Sequence, residues 1–385
     1  MLRDERRPFG FYLRVKNELL YPKRTHSGLE KDKQKTMKKN ANIPEKMLAA
    51  FLTGQMQIDV RSIDVPQTPP GGALIKVHSV GLCGSDINRI QYTSSENPRV
   101  LGHEITGEIL RLDPNVTDFR VGDRIAVGHV HVPCQHCDYC RHGSPAMCRQ
   151  FKSIHVEPGG YAEYVALTHD HLAHSVLRVP ERVSDAAATF IDPLGCCMRA
   201  VRLSDILPFD QVVVVGTGIM GQLFVMLLNQ LHTEVIAVDI SPYRLEKANE
   251  FGAHHTIQSS TEDVVEKVLD ISEGQGADSV FLTFLNQKIL DQALSYVRDG
   301  GDLCVFAPPI QELKLKMDYF SFFRRELRLF SSYSSNIDQI ETAMKWIASK
   351  KIDVEALITG TTDLDNLLKT VEDLDEEEFK IIVKP

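Results

Sequence analysis

QVVVVGTGIMG, residues 211–221, is the stretch whose reading decides the fold. Four valines run straight into Gly216, Gly218 and Gly221. β-Branched residues followed by glycines predict a buried strand that turns sharply into a helix. The spacing G-x-G-x-x-G is the dinucleotide-binding fingerprint. Gly216 permits the tight turn, Gly218 lets the backbone approach a pyrophosphate, and Gly221 lets the helix pack close to the strand. With Ile219 and Met220, these glycines form the expected cofactor contact, where free N–H groups at a helix start meet phosphate.

Working outward, EVIAVD predicts a second strand ending at Asp239, 18 residues after Gly221. An acid there holds the adenosine ribose hydroxyls and repels a 2′-phosphate, which favours NAD over NADP. Arg244, a further cofactor-contact candidate, lies close by in the chain and pulls against that preference. Strands and helices then alternate. The helix GQLFVMLLNQL precedes EVIAVD, and the helix SPYRLEKANEFG follows it. AHHTIQS is a short strand, and TEDVVEKVLDISEG an amphipathic helix. ADSVFLTF is a buried strand, NQKILDQALSYVRDGG a helix ending in glycines, and DLCVFA another strand. That alternation predicts an α/β fold with a doubly wound parallel sheet, with Thr283 and Ala307 at strand ends facing the cofactor crevice. His254 and His255 read as surface residues.

Upstream, the chemistry changes. Eight cysteines occur in 385 residues, and Cys134, Cys137, Cys140 and Cys148 fall within fifteen of them. In a chain this long that clustering indicates a metal rather than a disulfide framework, and fits a reducing, cytoplasmic compartment. Four thiolates complete a tetrahedral shell with no open position, so this metal would be structural. His131, His136 and His142 lie nearby and read as surface histidines, since the shell is already full. Cys83 follows the strand ALIKVHSVGLC and opens a helix, while His103 and Glu104 precede a strand. A thiolate and an imidazole on two loops make half of a second zinc site. Asp192, in the loop IDPLG between a helix capped by Ser184 or Asp185 and a helix from Leu194 through Val201, is a candidate third ligand. Cys196 and Cys197 compete for that role, but a helix interior usually buries cysteines as small apolar groups.

Composition bounds the rest. The chain is 25% charged and 43% apolar, as in soluble globular proteins. Its net charge of −9 argues against a general nucleic-acid binder, and no apolar run reads as a membrane span. Residues 1–46 carry 13 Lys+Arg against 6 Asp+Glu and little periodicity. They read as a disordered extension, or as sequence ahead of a start at Met37 or Met47. MLAAFLTG and MQIDVRSIDVP predict a β-hairpin. The amphipathic helix IDQIETAMKWIASKKI, the helix DLDNLLKTVEDL and the strand FKIIVKP close the chain.

With Cys83, His103–Glu104, the four spaced cysteines and GTGIMG in one order, residues 47–385 resemble the zinc-dependent medium-chain alcohol dehydrogenases. CGSD, GHE, DPLG and ELRLFSSYSS are most similar to the sorbitol, polyol and threonine dehydrogenase branch. The resemblance implies a chaperonin-10-like (GroES-like) β-barrel catalytic domain from 47–197, completed by 333–385, with a Rossmann domain inserted at 198–332. It implies a catalytic zinc on Cys83, His103 and Asp192, with Glu104 an outer or alternate ligand, and a homodimer or homotetramer. Two departures stand out. The third-ligand position in the polyol branch is usually glutamate, and Asp192 is one methylene shorter. Relatives often carry a proton-passing histidine five residues after the first cysteine, where this chain has Asn88, which cannot act as a base.

The expected reaction is NAD-linked oxidation of a secondary alcohol of polyol, inositol or 3-hydroxy amino acid type. Ser85 takes the hydroxyl proton through a hydrogen bond, a role compatible with capping the helix. Two other readings compete. A zinc-free NADPH enoyl or quinone reductase of the same fold leaves Cys83 and His103 unexplained. A non-enzymatic zinc-ribbon binding protein leaves the fingerprint and Asp239 unexplained.

Overall fold

A computed structural model describes residues 43–93, 97–308 and 312–385. Nearly all of the basic extension expected at 1–46 lies outside the described residues. The chain forms two compact units, with crossings at Asp192/Pro193 and Ser334/Ser335. The expected boundaries, 197/198 and 332/333, fall a few residues away. Among the described residues no helix is long and apolar enough to cross a membrane.

The unit spanning 193–334 is built on the valine strand, Gln211–Val215. Val212, Val213 and Val214 are fully buried, as a strand covered on both faces requires. The sheet runs His255–Gln258, Glu234–Asp239, Gln211–Val215, Ala277–Leu282, Val297–Val305, Arg328–Ser331, and every neighbouring pair is parallel. The order reverses on either side of the valine strand, so a crevice opens where its carboxyl end meets the helix Ile219–Asn229. The helix buries eight consecutive residues, Gly221–Leu228, and Phe224 packs on Phe281 and Phe306.

Gly216 and Gly221 take the turn and the close contact that their spacing predicts. Gly216 has φ +86°, a left-handed conformation that disfavours a side chain. A Cβ at Gly221 would collide with the carbonyl oxygen of Gly216, whereas one at Gly218 would meet nothing within 4 Å. Close helix–strand contact and an open face therefore come from different glycines of one motif.

The other unit, 43–192 with 335–385, is mostly antiparallel. Its larger sheet runs Ile358–Thr362, Lys380–Val383, Ala73–Gly81, Glu104–Leu112, Arg124–Val127, Val176–Arg178, and Tyr164–Leu167 pairs with Ala73–Gly81. Ile75, Ile105, Ile109, Ile125, Val165 and Val383 are fully buried in the core of this sheet. The hairpin Lys46–Gly54/Gln57–Asp64 forms a second sheet with Arg99–Val100. The closing strand is thus last in sequence but interior in the larger sheet.

Two expectations are corrected. No helix stops at Asp192–Pro193: a short helix, Asp185–Ala188, precedes a long one, Ile191–Leu203, that runs through the proline. Pro193 is the third residue of that helix, where the N–H has no intrahelical partner to lose. Likewise the helix expected to end in glycines stops at Tyr296, and Val297–Val305 is one strand. Gly300 has φ +70°, which a right-handed helix cannot use.

Gly221→Ala should place a methyl group against the Gly216 carbonyl and cost about 1–3 kcal/mol. Urea unfolding of the variant beside the parent measures this, and an unchanged midpoint would contradict the close approach.

Candidate functional site

The larger sheet ends bring together residues far apart in sequence. Cys83 is the N-cap of the helix Gly84–Tyr92, directly after the strand Ala73–Gly81. Glu104 begins the neighbouring strand, and His103 immediately precedes it. One ligand atom from each of Cys83, His103 and Glu104 lies within 4.8 Å of the others. Soft sulfur, imidazole nitrogen and carboxylate oxygen form a donor set that fits a divalent transition metal.

The groups behind these donors hold them. His103 Nδ1 lies 3.4 Å from Asp86 Oδ2, which leaves Nε2 as the ring's remaining donor. Asp86 is fully buried and also accepts a 2.9 Å hydrogen bond from Tyr161 Oη. Burial pushes the Asp86 carboxyl up, but the charge and hydrogen bonds of His103 and Tyr161 outweigh it and hold it below its ordinary value. Burial likewise works to deprotonate His103, yet Asp86 and the Cys83 sulfur together carry it well above the usual imidazole range. A ligating histidine fixed by a carboxylate is the arrangement that sets its tautomer and ring plane.

Glu104 is tied differently. Lys380 Nζ donates to both of its oxygens, at 3.0 and 2.7 Å, with both residues 1% exposed. Lys380 also reaches Leu82 O at 3.4 Å and lies 5.6 Å from the centre of the Phe190 ring. Burial alone lowers a lysine, but the Glu104, Cys83 and Asp192 charges raise this one above its ordinary value. A Cβ at Gly81 would overlap the Glu104 carboxylate, so this glycine makes room for it.

Two sequence assignments need correction. Asp192 is not in the group formed by Cys83, His103 and Glu104. Its Oδ1 lies 3.2 Å from His129 Nδ1, in the first turn of the helix Ile191–Leu203. Ser85 is not the helix cap, because Cys83 holds that position. Its hydroxyl instead donates to Cys83 Sγ at 3.5 Å. Asn88 is exposed on the same helix.

Cys134, Cys137, Cys140 and Cys148 converge with their sulfurs within 4.8 Å of one another. Backbone N–H groups of Cys134 and Cys137 donate to the sulfurs of Cys148 and Cys134 at 3.4 and 3.3 Å. Burial raises the Cys148 thiol, but N–H donors from Cys134, Phe151 and Gln150 bring it down to about 6. Burial and the hydrogen bond with Cys137 push Cys140 up to about 12. Crowded sulfurs that cannot all ionise together are what a dication relieves. All eight cysteines are free thiols. His136 and His142 are exposed and bond nearby carbonyls, as expected of surface residues. His131 is not such a residue: it is half-buried, contacts Ile154 O at 3.3 Å and stacks edge-on with His155. Cys197 is buried, with Sγ 3.8 Å from Met220 O, and belongs to neither cluster.

In the other unit, Asp239 is 7% exposed at the end of its strand. Its Oδ2 accepts from Thr217 N at 2.6 Å and from Thr217 Oγ1 at 3.1 Å, while Oδ1 accepts from Ser241 N at 3.0 Å. Gln222 Nε2 donates to Thr217 O and to Arg244 O at 2.8 and 2.9 Å. Thr283 Oγ1 donates to Gly216 O at 2.7 Å. Thr217 and Gln222 were not anticipated as residues that shape the turn. Thr217 sits inside the motif, and Gln222 is a polar residue in an otherwise apolar helix, which is the signal that could have found it.

Residues 69–181 match the family model for the alcohol dehydrogenase GroES-like domain, and residues 220–349 that for zinc-binding dehydrogenase. Over 266 residues the chain is 32% identical to an L-threonine 3-dehydrogenase of Pyrococcus abyssi, covering 67% of this chain and 74% of that one. The chain belongs to the zinc-dependent medium-chain alcohol dehydrogenases, in the branch of polyol and threonine dehydrogenases. A sorbitol dehydrogenase of Bacillus subtilis is 28% identical, with 89% of this chain and 98% of that one covered. Among solved structures, a putative zinc-binding dehydrogenase from Sinorhizobium meliloti 1021 bound to NADP superposes with a TM-score of 0.80 at 27% identity. That superposition covers 89% of this chain and all of the other. As a member of this family the chain is an alcohol or polyol dehydrogenase type of oxidoreductase, with a GroES-like unit and a Rossmann sheet.

Lys380→Met should leave Glu104 buried without its counter-charge and lower stability by about 3–5 kcal/mol. Lys380→Arg should retain most of it. Denaturant unfolding of both variants checks the pair, and equal midpoints for Met and Arg would refute its role.

Proposed function

We propose that this protein oxidises a secondary alcohol of polyol or 3-hydroxy amino acid type to a ketone, with zinc at two sites and NAD as the hydride acceptor. The observation that carries the reading is the convergence of Cys83, His103 and Glu104 in a chain that also bears the fingerprint Gly216-x-Gly218-x-x-Gly221. The names of the threonine and sorbitol dehydrogenases to which the chain is similar support the substrate class.

Cys83, His103 and Glu104 would hold the catalytic zinc, and Cys134, Cys137, Cys140 and Cys148 the structural one. Zinc in an open shell supplies Lewis acidity that lowers the cost of deprotonating an alcohol. The chain's own groups do the rest. Asp86 and Tyr161 keep His103 Nδ1 occupied, so the ring presents Nε2 in one orientation. Lys380 holds the Glu104 carboxylate and offsets part of the negative charge gathered there. Ser85 Oγ, on the exposed start of its helix, has a lone pair to accept a hydrogen bond from the substrate hydroxyl, with its own hydrogen directed at Cys83 Sγ.

In the Rossmann unit, the turn at Gly216–Gly221 and the unbonded N–H groups of the helix start would take the pyrophosphate. Asp239 would accept from the ribose hydroxyls. Each carboxylate oxygen has capacity beyond the bonds it already makes to Thr217 and Ser241. The negative charge of Asp239 is the reason for choosing NAD over NADP.

The purified protein is expected to hold about two zinc ions per chain, and Cys83→Ser about one, with turnover lost and NAD binding kept. Elemental analysis with NADH production across polyols, inositols and 3-hydroxy amino acids tests this. One zinc ion in the parent would sink the metal reading. Asp239→Ala should lower the preference for NAD over NADP by roughly 10–100-fold, given about 1.5–3 kcal/mol for charge-assisted hydrogen bonds. Steady-state KM values for the two coenzymes read this, and an unchanged preference would overturn the choice of NAD.

A further inference from the structure

His129 is not among the residues singled out by motif or resemblance, yet it is 6% exposed and bonded through both its main chain and its ring. Its main chain is fastened to one serine. The His129 N–H donates to Ser175 Oγ at 2.7 Å, and that hydroxyl donates to His129 O at 2.6 Å. Gly128 N donates to Ser175 O at 2.8 Å. Gly128 itself packs so tightly under Ile340 that a Cβ there would collide with the isoleucine. The backbone at 128–129 is therefore held on two sides.

The ring then makes two bonds in opposite directions. Nδ1 lies 3.2 Å from Asp192 Oδ1, and Nε2 lies 2.9 Å from Ser335 Oγ. An ionised carboxylate only accepts, so Nδ1 carries the hydrogen given to Asp192. Ser335 can donate to a bare Nε2 or accept from a protonated one, so the ring stays locked in either state. Ser335 is 1% exposed and immediately precedes Asn336, the capping residue of the helix Ile337–Ala348. Asp192 stands in the first turn of its own helix. Its charge reaches Lys380, the residue that grips Glu104.

We propose that His129 is a positioning residue of the metal centre. By gripping Asp192 Oδ1 while Ser335 locks its other nitrogen, it sets how the Asp192 carboxylate faces the group formed by Cys83, His103 and Glu104. The inference rests on the reading of that group as a metal site. Aspartate stands where the family branch usually has glutamate, and a shorter side chain has less reach to find its own orientation. A buried histidine that makes the carboxylate's direction a property of the scaffold answers that shortfall. Residues that bond a carboxylate at a metal site in this way typically change metal affinity by 10–100-fold.

The test uses the full-length protein and reads metal, not turnover. Metals per chain and zinc affinity are measured by elemental analysis and chelator competition, with the visible spectrum of the cobalt-substituted protein as a second readout. Cooperative melting is checked for each variant. His129→Ala should weaken one of the two metal sites by roughly 10–100-fold and leave the four-cysteine site untouched. His129→Asn places an amide donor near the position of Nδ1 and should recover most of that loss. Ser335→Ala removes only the lock and should fall between the parent and His129→Ala, with a shifted cobalt spectrum. Affinity within twofold of the parent in His129→Ala overturns the proposal, as does His129→Asn behaving like His129→Ala. If His129→Ala does not fold, Ser335→Ala decides by the same measurement, and parental affinity and spectrum there overturn it. A parent that binds zinc only at the four cysteines overturns the metal reading, and this inference with it.

Discussion

Glu104 and Lys380 form a buried ion pair, and the geometry of the group formed by Cys83, His103 and Glu104 depends on it. Two charges taken out of water are costly unless each finds the other in good geometry. Here the lysine spans both carboxylate oxygens, and both residues are 1% exposed. The partners are 276 residues apart in sequence, so the pair exists only once the closing strand Lys380–Val383 has docked beside Ala73–Gly81. That docking also places Gly81, whose missing side chain leaves space for the Glu104 carboxylate. Cys83 follows two residues later, which links the end of the chain to the assembly of the site.

A similar constraint governs the glycine turn of the other unit. Asp239 receives the Thr217 N–H from inside the motif and the Ser241 N–H that begins the next helix. The turn conformation and the strand-end acid are therefore one hydrogen-bonded object. An acid at this place does structural work before any ribose arrives. Its removal would perturb both the loop that meets phosphate and the group that meets the sugar. Gln222 reinforces the same object from the helix by bridging Thr217 O and Arg244 O.

The parts legible in the sequence are those written in short-range patterns. The valine run with its three glycines, the strand–helix alternation and the four-cysteine spacing each encode local geometry within about twenty residues. The parallel sheet and the four-cysteine cluster follow from them. Long-range partners are not written this way. Nothing near Lys380 in sequence distinguishes it from a surface lysine of an end strand, and nothing near His129 separates it from His131. Their roles come from burial, which only the assembled sheet creates. The helix break expected at Asp192–Pro193 illustrates the opposite error. The sequence places a loop at IDPLG, although a first-turn proline gives up no hydrogen bond. Continuing the helix through it puts Asp192 in the first turn, a fixed place beside His129.

Three acids are tied to the group formed by Cys83, His103 and Glu104, one of them as a member, and each has its own partner. Asp86 is tied to His103 and Tyr161, Glu104 to Lys380, and Asp192 to His129. Unpaired, three carboxylates at such close quarters would repel one another, and protonation would settle the matter unpredictably. Distributing them among an imidazole with a phenol, an ammonium and a second imidazole removes that degeneracy. The character of each acid follows from its partner. One bound to a ligand's imidazole orients that ligand. One spanned by a buried ammonium has both of its oxygens engaged. One held by a locked ring keeps a single direction. Nearness to the metal group is common to all three, so what separates their roles is the donor to which each is bound.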